Sequence, residues 1–527
     1  MGWLPALRSL DSPGMSGDLL PRKRHVPSRP RDYLSDLIAG LSVGLVVIPQ
    51  SLAYAQVAGM PPASGLYAAG VPSVAAAPFA SSRLLQTGPV GVTALLTFGA
   101  LSTMAVPGSS RYVALAMLLA FLVGIIRLAV GALRLGAVAY LLSPPLLAGF
   151  MPAAAILIVS SQAPSAVGLS GPGEGGLGEL GWTLRHVEDW SGVAIAIAVG
   201  TVGLVLAGRR VSRLFPSILI AVVGGIVLSR SLGYAGPVVG HVPSGFPPIG
   251  LALPWSSVST LLVPAAVVAL LGFAEPASIA HTLAAQDRER WNPDREFISQ
   301  GVANVASAVV GGFPVGGSFS RTSLNRLAGA RTRWSGAVAG LLVLAFLPFT
   351  NILSPLPQAI LGAIVIVSVA GLLRLGGLLT LWRISRPQAM IATSTFVATL
   401  ALAPHIEYAV LIGVGLSIAN HLFREYPLDV DTDVSADREE LVLRPRGVVW
   451  FGSAQGLEDR ALDLIASHPE VRRLTIDLLG VGRLDVSGAY ALRSLVQDAA
   501  QAGIEVSIIG VPPRAKRFVS HILEREL

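Results

Sequence analysis

The sequence predicts an all-α polytopic membrane domain followed by a small cytoplasmic α/β domain, and three observations carry that prediction. Hydrophobic residues make up 52% of the 527-residue chain and charged residues 13%, against roughly 25% charged in soluble domains. Mean hydropathy is +0.66. Apolar runs of bilayer-crossing length recur from residue 37 to 425, whereas beyond Tyr426-Pro427 charges become dense and the apolar runs shrink to strand length. The chain therefore divides into a tail at 1–36, a membrane domain at 37–425 and a soluble domain at 428–527.

The tail is Pro-rich and basic (Arg22, Lys23, Arg24, Arg29, Arg31), with no small-residue cleavage site close behind the first apolar run. It reads as a cytoplasmic tail and not as a signal peptide. Apolar segments follow at 37–57, 62–80, 89–104, 112–132, 136–160, 191–207, 214–232, 257–275, 297–313, 318–330, 334–350, 357–373, 388–403 and 406–423. Several are short or broken by Pro and Gly, so hydropathy alone supports about twelve to fourteen crossings. The first contains Pro49-Gln50 in mid-run. Proline removes a backbone donor and hydrocarbon cannot satisfy an amide, so an interrupted helix bordering a polar cavity is expected there.

Loop charge tests the count, because arginine accumulates on the cytoplasmic side. Fourteen crossings place Arg83, Arg134, the Arg209/Arg210/Arg213 cluster, Arg288/Arg290/Arg295, Arg326/Arg331/Arg333 and Arg374/Arg383/Arg386 inside. Outside lie 161–190, with Glu174, Glu179, Glu188 and Asp189, and 233–256, which has no Lys or Arg. Arg111, Arg185 and Arg230 are exceptions. Both termini are then cytoplasmic, and a bacterial inner (plasma) membrane is the expected location. Pro49-Gln50 in the first segment is answered by Glu275-Pro276 in the eighth, and Gln86-Thr87-Gly88-Pro89 before the third by Gly316-Gly317-Ser318 at the tenth. Seven crossings per half is odd, so the halves form inverted repeats.

In the soluble part, 441–445 and 448–452 read as strands, 455–467 as a helix, 473–479 as a buried strand, 488–502 as a helix, 504–510 as a strand and 513–525 as a final helix. That alternation makes a domain of about 100 residues.

Composition also excludes classes. The net charge of +7 is scattered between apolar runs and offers no basic face for nucleic acid. No phosphate-binding G-x-x-x-x-G-K-[ST] loop exists and the only lysines are Lys23 and Lys516, which argues against a nucleotide-driven pump. With no cysteine, and no His/Asp/Glu spacing of a metal site, neither metal nor cofactor is expected and the chain is not read as an enzyme.

Chemistry concentrates at the matched breaks. Two helices starting at one point present unpaired N–H groups worth about half a positive charge each, enough to hold an anion. Gly88 and Pro89 open one and Gly316 and Gly317 the other, with Ser318 and Ser320 adding hydroxyls. Small residues that merely allow close helix packing give the same pattern. Gln50 and Tyr54, one turn apart, share a helix face and Phe319 closes the pocket opposite; Tyr54 also fits as a packing aromatic. An ionised carboxylate in mid-segment costs about 2.5–3.5 kcal/mol, so Glu275 reads as a coupling group that carries a proton. A structural carboxylate at helix N-termini, or one on a sodium ion, is the alternative. Arg321 fits an anion partner, a snorkelling residue or a helix cap.

IPQSLAYAQVAGMPPASGLY (48–67) closely resembles the signature of the SulP family of sulfate permeases and related anion exchangers, and GGSFSRTSLN (316–325) resembles its tenth-helix motif. TIDLLGVGRLDVSG (475–488) resembles a STAS domain, the module shared with anti-sigma-factor antagonists. The resemblance covers about 35–527. It implies fourteen helices as two inverted repeats of seven, a core of helices 1 to 4 and 8 to 11 moving against a gate of 5 to 7 and 12 to 14, and a homodimer. It implies anion contacts at Gln50, Tyr54 and Phe319; with the helix starts and hydroxyls read above, the expected substrate site is Gln50, Tyr54, Gly88, Val90, Gly317, Ser318, Phe319 and Ser320, with Glu275 as the coupling group and Arg321 as a possible anion partner. The expected function is proton-coupled symport of a small anion (sulfate, bicarbonate, or a dicarboxylate such as fumarate or succinate) by alternating access. An uncoupled channel, an exchanger, or a membrane sensor signalling through the STAS domain to a cytoplasmic partner are the competing readings. In the antagonists the loop usually reads Asp-Ser-Ser-Gly with the first serine phosphorylated; here Val486 takes that place, leaving Ser487 as a helix cap.

Overall fold

The computed structural model describes residues 30–523 apart from Glu174, Arg213, Leu232, Tyr426, Pro427 and Arg438. The tail reading for residues 1–29, the outer charge at Glu174, Arg213 of the basic cluster and the Tyr426-Pro427 boundary lie outside the described residues.

The membrane unit comprises α1 (Pro30–Val57), α2 (Pro62–Ala76), α3 (Gly91–Leu101), α4 (Ser110–Ala132), α5 (Pro144–Val167), α6 (Gly178–Arg185), α7 (Gly192–Val211) and α8 (Ser217–Ser231). It continues with α9 (Val258–Gln286), α10 (Pro293–Val309), α11 (Phe319–Leu327), α12 (Trp334–Phe346), α13 (Gln358–Val369), α14 (Gly376–Ile384), α15 (Arg386–Ala401) and α16 (Ile406–Glu425). Among the described residues, 8 helices are long and apolar enough to cross a membrane. α3 and α8 are apolar but shorter.

Packing sorts these helices into two groups. α1 packs on α2 and α12, and α10 on α2 and α4, with α9 against α3 and α4. α5 packs on α13 and α15, α7 on α8 and α13, and α15 on α16. This is the core and gate partition that the family resemblance implies. Close approach inside the first group needs glycine: a Cβ on Gly65 of α2 would lie 2.1 Å from the Ser51 carbonyl oxygen of α1.

Two expectations change. α1 runs unbroken through Pro49, and α9 through Pro264 and Pro276. One proline costs a helix a single hydrogen bond, and a long helix packed on both sides absorbs that loss. The breaks expected before α3 and α11 are present, as two short strands, β1 (Thr87–Gly88) and β2 (Gly316–Gly317), that pair antiparallel with Thr87 opposite Gly317 and Gly88 opposite Gly316.

The soluble unit has its own core around Leu441, Leu443, Leu474, Ile476, Leu492 and Leu495. β3 (Asp429–Val434), β4 (Glu440–Val449), β5 (Arg473–Asp477) and β7 (Glu505–Ile509) lie in that order in one sheet, and β6 (Val481–Leu484) pairs with β4. β3 is antiparallel to β4, while the other pairings are parallel. The two strands expected at 441–445 and 448–452 are one strand, because the chain passes Gly447 (φ +109°) by a register shift and stays paired. Helices α17 (Phe451–Ser467), α18 (Val486–Gln501) and α19 (Lys516–Leu523) complete the unit.

The α18 cap is Asp485, whose Oδ1 accepts from the Gly488 N–H at 2.8 Å, so Ser487 sits in the first turn and is not the cap. Asp485→Ala is expected to destabilise the start of α18 by about 1 kcal/mol. The check is amide hydrogen exchange in the full-length protein, which should quicken about fivefold at residues 486–489 and stay unchanged in β5.

Candidate functional site

Antiparallel pairing of β1 and β2 brings the starts of α3 and α11 to one place. The Ser318 N–H donates to the Gln86 carbonyl at 3.0 Å, and the Gln86 N–H to Thr322 Oγ1 at 3.0 Å, which lock the two breaks together. Ser318 caps α11, its Oγ accepting from the Arg321 N–H at 3.5 Å and lying 3.3 Å from Ser320 Oγ.

Beside this crossing is a cavity of about 380 Å³. Tyr54, Val90, Ser318, Phe319, Ser320 and Glu275 all line it, so six of the residues singled out by sequence converge. Glu275 is the only carboxylate in that lining. It faces the α11 N-terminus, where the Phe319 N–H donates to its Oε1 at 3.4 Å. Phe319 lines the cavity while remaining 64% exposed.

Gln50, Gly88, Gly317 and Arg321 are not in the lining. Gln50 is buried with its Oε1 unpartnered, one helical turn before Tyr54 on α1. Gly317 packs on Leu85 and Pro276, which its Cβ would meet at 2.8 and 3.1 Å. Gly88 (φ +152°) holds a backbone conformation that favours glycine, and a Cβ there would lie 3.4 Å from Arg321 Nη2.

Arg321 is the decisive side chain. It is 1% exposed, which rules out snorkelling. Its Nε, Nη1 and Nη2 have no hydrogen-bond partner, and no ion pair among the described residues includes it. Tyr54 and Glu275 are within electrostatic reach of it. Buried guanidinium groups are nearly always satisfied, so three unpartnered nitrogens on the helix whose start lines the cavity could receive an anion if the wall yields to them.

Sequence reasoning missed part of the wall. Gly91 and Gly272 from the first group, and Leu147, Met151, Ser368 and Arg374 from α5, α13 and the turn after α13, belong to it. Ser278 was the findable one, since it follows Glu275 by one helical turn. Arg127, wholly buried within α4, was also missed. Its signal was an arginine inside an otherwise apolar run.

Comparisons with known proteins give the family and the fold. The family model described as the Sulfate permease family matches residues 33–395, and that of the STAS domain matches 429–525. A probable sulfate transporter of Mycobacterium tuberculosis is 33% identical over 492 residues, 89% of this chain and 88% of that one. The fold is similar to murine Solute Carrier 26 family member A9, an anion transporter solved in the inward-facing state, with a TM-score of 0.84 at 21% identity over 94% of this chain and 88% of that one. It is also similar to the transmembrane domain of a cyanobacterial bicarbonate transporter, BicA, with a TM-score of 0.63 at 24% identity over 74% of this chain and 98% of that one.

Proposed function

Since the chain belongs to the sulfate permease family of membrane anion transporters and ends in a STAS domain, we propose that it is a secondary active transporter that takes up a small anion together with a proton. The observation that carries this reading is Arg321, buried with all three nitrogens unpartnered on the helix whose start, Ser318 to Ser320, lines the cavity. The starts of α3 and α11 add positive potential from opposite halves of the chain, and Ser318 and Ser320 add hydroxyl donors. Arg321, Tyr54, Val90, Ser318 and Ser320 form the binding site in this reading, with Gly88 allowing the guanidinium its approach. Glu275 is the coupling group.

The transport cycle follows from the two packing groups. The cavity wall ends at the exposed Arg374, on the face where arginines cluster, so the site opens to the cytoplasm. Away from that mouth, Gln56 Nε2 of α1 donates to Ser165 Oγ of α5 at 2.7 Å and holds the two groups together. Alternating access breaks that bond and closes the Arg374 side. Fourteen crossings in two inverted repeats, a homodimer, cytoplasmic termini and an inner-membrane location complete the reading.

A cavity of about 380 Å³ admits sulfate, bicarbonate or a four-carbon dicarboxylate alike. Proteoliposomes holding the full-length protein and loaded by an inward proton gradient test both coupling and substrate. Labelled sulfate should accumulate uphill, with succinate, fumarate and bicarbonate ranked by competition. Uptake that only equilibrates would make the protein a channel, and an absence of any anion uptake would sink the reading.

A further inference from the structure

A second buried cation stands behind the same site. The Arg127 guanidinium donates from Nε to the Ala269 carbonyl at 3.0 Å, from Nη2 to Val268 at 3.2 Å and from Nη1 to Val315 at 2.9 Å. All three acceptors are neutral, and none of the ion pairs among the described residues includes it. A charge buried this way is expensive, and carbonyl dipoles offset only part of it.

Its position matters. Arg127 Nη2 would lie 2.8 Å from a Cβ on Gly272, and Gly272 lines the cavity. At that point of the wall the guanidinium stands behind a glycine, next to Thr93, whose Cγ2 would lie 3.0 Å from the same Cβ. The Val315 carbonyl also accepts from Asn304 Nδ2 at 3.1 Å, and the Val315 N–H donates to Asn304 Oδ1 at 2.9 Å. Val315 leads directly into β2 and Ser318. One guanidinium therefore ties α9, which carries Glu275, to the strand that carries the α11 cap.

We propose that Arg127 is a specificity-determining positioning residue, whose charge, held one glycine away from the cavity, tunes the site for divalent over monovalent anions. This deepens the anion-site reading above and rests on it. When Glu275 is protonated, Arg127 and Arg321 leave two positive charges behind the cavity wall, at Gly272 and Gly88, matching a sulfate or a small dicarboxylate. Coulomb energy is proportional to the anion's charge. Removing the Arg127 charge therefore changes divalent affinity by the square of the factor for a monovalent anion.

The experiment measures sulfate half-saturation, and inhibition of sulfate uptake by nitrate, for wild type, Arg127→Lys, Arg127→Gln and Gly272→Ala in proteoliposomes. Arg127→Gln should weaken sulfate about tenfold and nitrate about threefold, with Arg127→Lys recovering most of the sulfate affinity. Gly272→Ala, which pushes the guanidinium back, should shift sulfate in the same direction to a smaller degree and serves if Arg127→Gln does not fold. Equal factors for the two anions, or a loss of maximal rate alone that Lys and Gln share, would make Arg127 a backbone clamp and overturn the proposal. If wild type takes up no anion, the anion-site reading falls and takes this one with it. If wild type accumulates sulfate normally and the factors are equal, only this proposal fails.

Discussion

Arg321→Met is expected to abolish concentrative sulfate uptake while making the anion-free protein more stable than wild type. The two effects share one cause. A wholly buried guanidinium with no partner on any of its three nitrogens costs the fold free energy unless an anion is present. Replacing buried ionic groups by well-packed apolar ones gains about 1–4 kcal/mol. The same change deletes hydrogen bonds to a charged group worth about 1.5–3 kcal/mol each, so apparent affinity should fall about 10- to 100-fold or further. Thermal melts of the purified protein separate the terms. Wild type should be stabilised by sulfate, by about 2.7 kcal/mol at a hundred times its Kd, and the variant should melt higher without sulfate and not respond to it. A variant that transports normally, or a wild type indifferent to every anion in the panel, removes Arg321 from the site.

The sequence made this site visible in parts, and the gaps have physical reasons. Glycine, proline and serine at the starts of α3 and α11 reflect local backbone demands, so both breaks were legible without any contact map. Glu275 was legible because a carboxylate inside an apolar run is costly. Proline is a weaker signal in a long packed helix, and α1 and α9 pass through theirs. Gln50 shares a helix face with Tyr54, but periodicity gives a face and not a position along it, and of the two only Tyr54 lines the cavity. Arg321 was ambiguous between three roles until its burial was known. In the soluble unit the two missed strands have opposite causes. β3 reads DVDTDV, an acidic edge strand with four exposed residues, and β6 is only four residues long. Neither buries enough side chain to leave an apolar pattern.

Glu275→Gln is expected to uncouple anion movement from protons without destroying the binding site. Glu275 is the only carboxylate lining the cavity, and its Oε1 accepts from the Phe319 N–H at the α11 start, where the anion also binds in the proposed mechanism. An ionised carboxylate and an anion compete for the same helix end and for the Arg321 field, and like charges this close in low dielectric repel strongly. Binding of one therefore favours neutralisation of the other. By linkage the proton and the anion help each other on, with the same coupling factor in each direction. Wild-type sulfate affinity should then rise as pH falls through the range where the carboxylate takes up its proton, approaching tenfold per pH unit at full coupling. Glutamine imitates the protonated carboxyl in shape and charge. Its variant should bind and exchange sulfate with no pH dependence, and an inward proton gradient should no longer drive accumulation. Counterflow of labelled against unlabelled sulfate, with and without the gradient, reads both quantities. If gradient-driven accumulation survives in Glu275→Gln, the proton enters elsewhere; if an inward sodium gradient drives uptake in wild type and not in the variant, the carboxylate holds sodium instead.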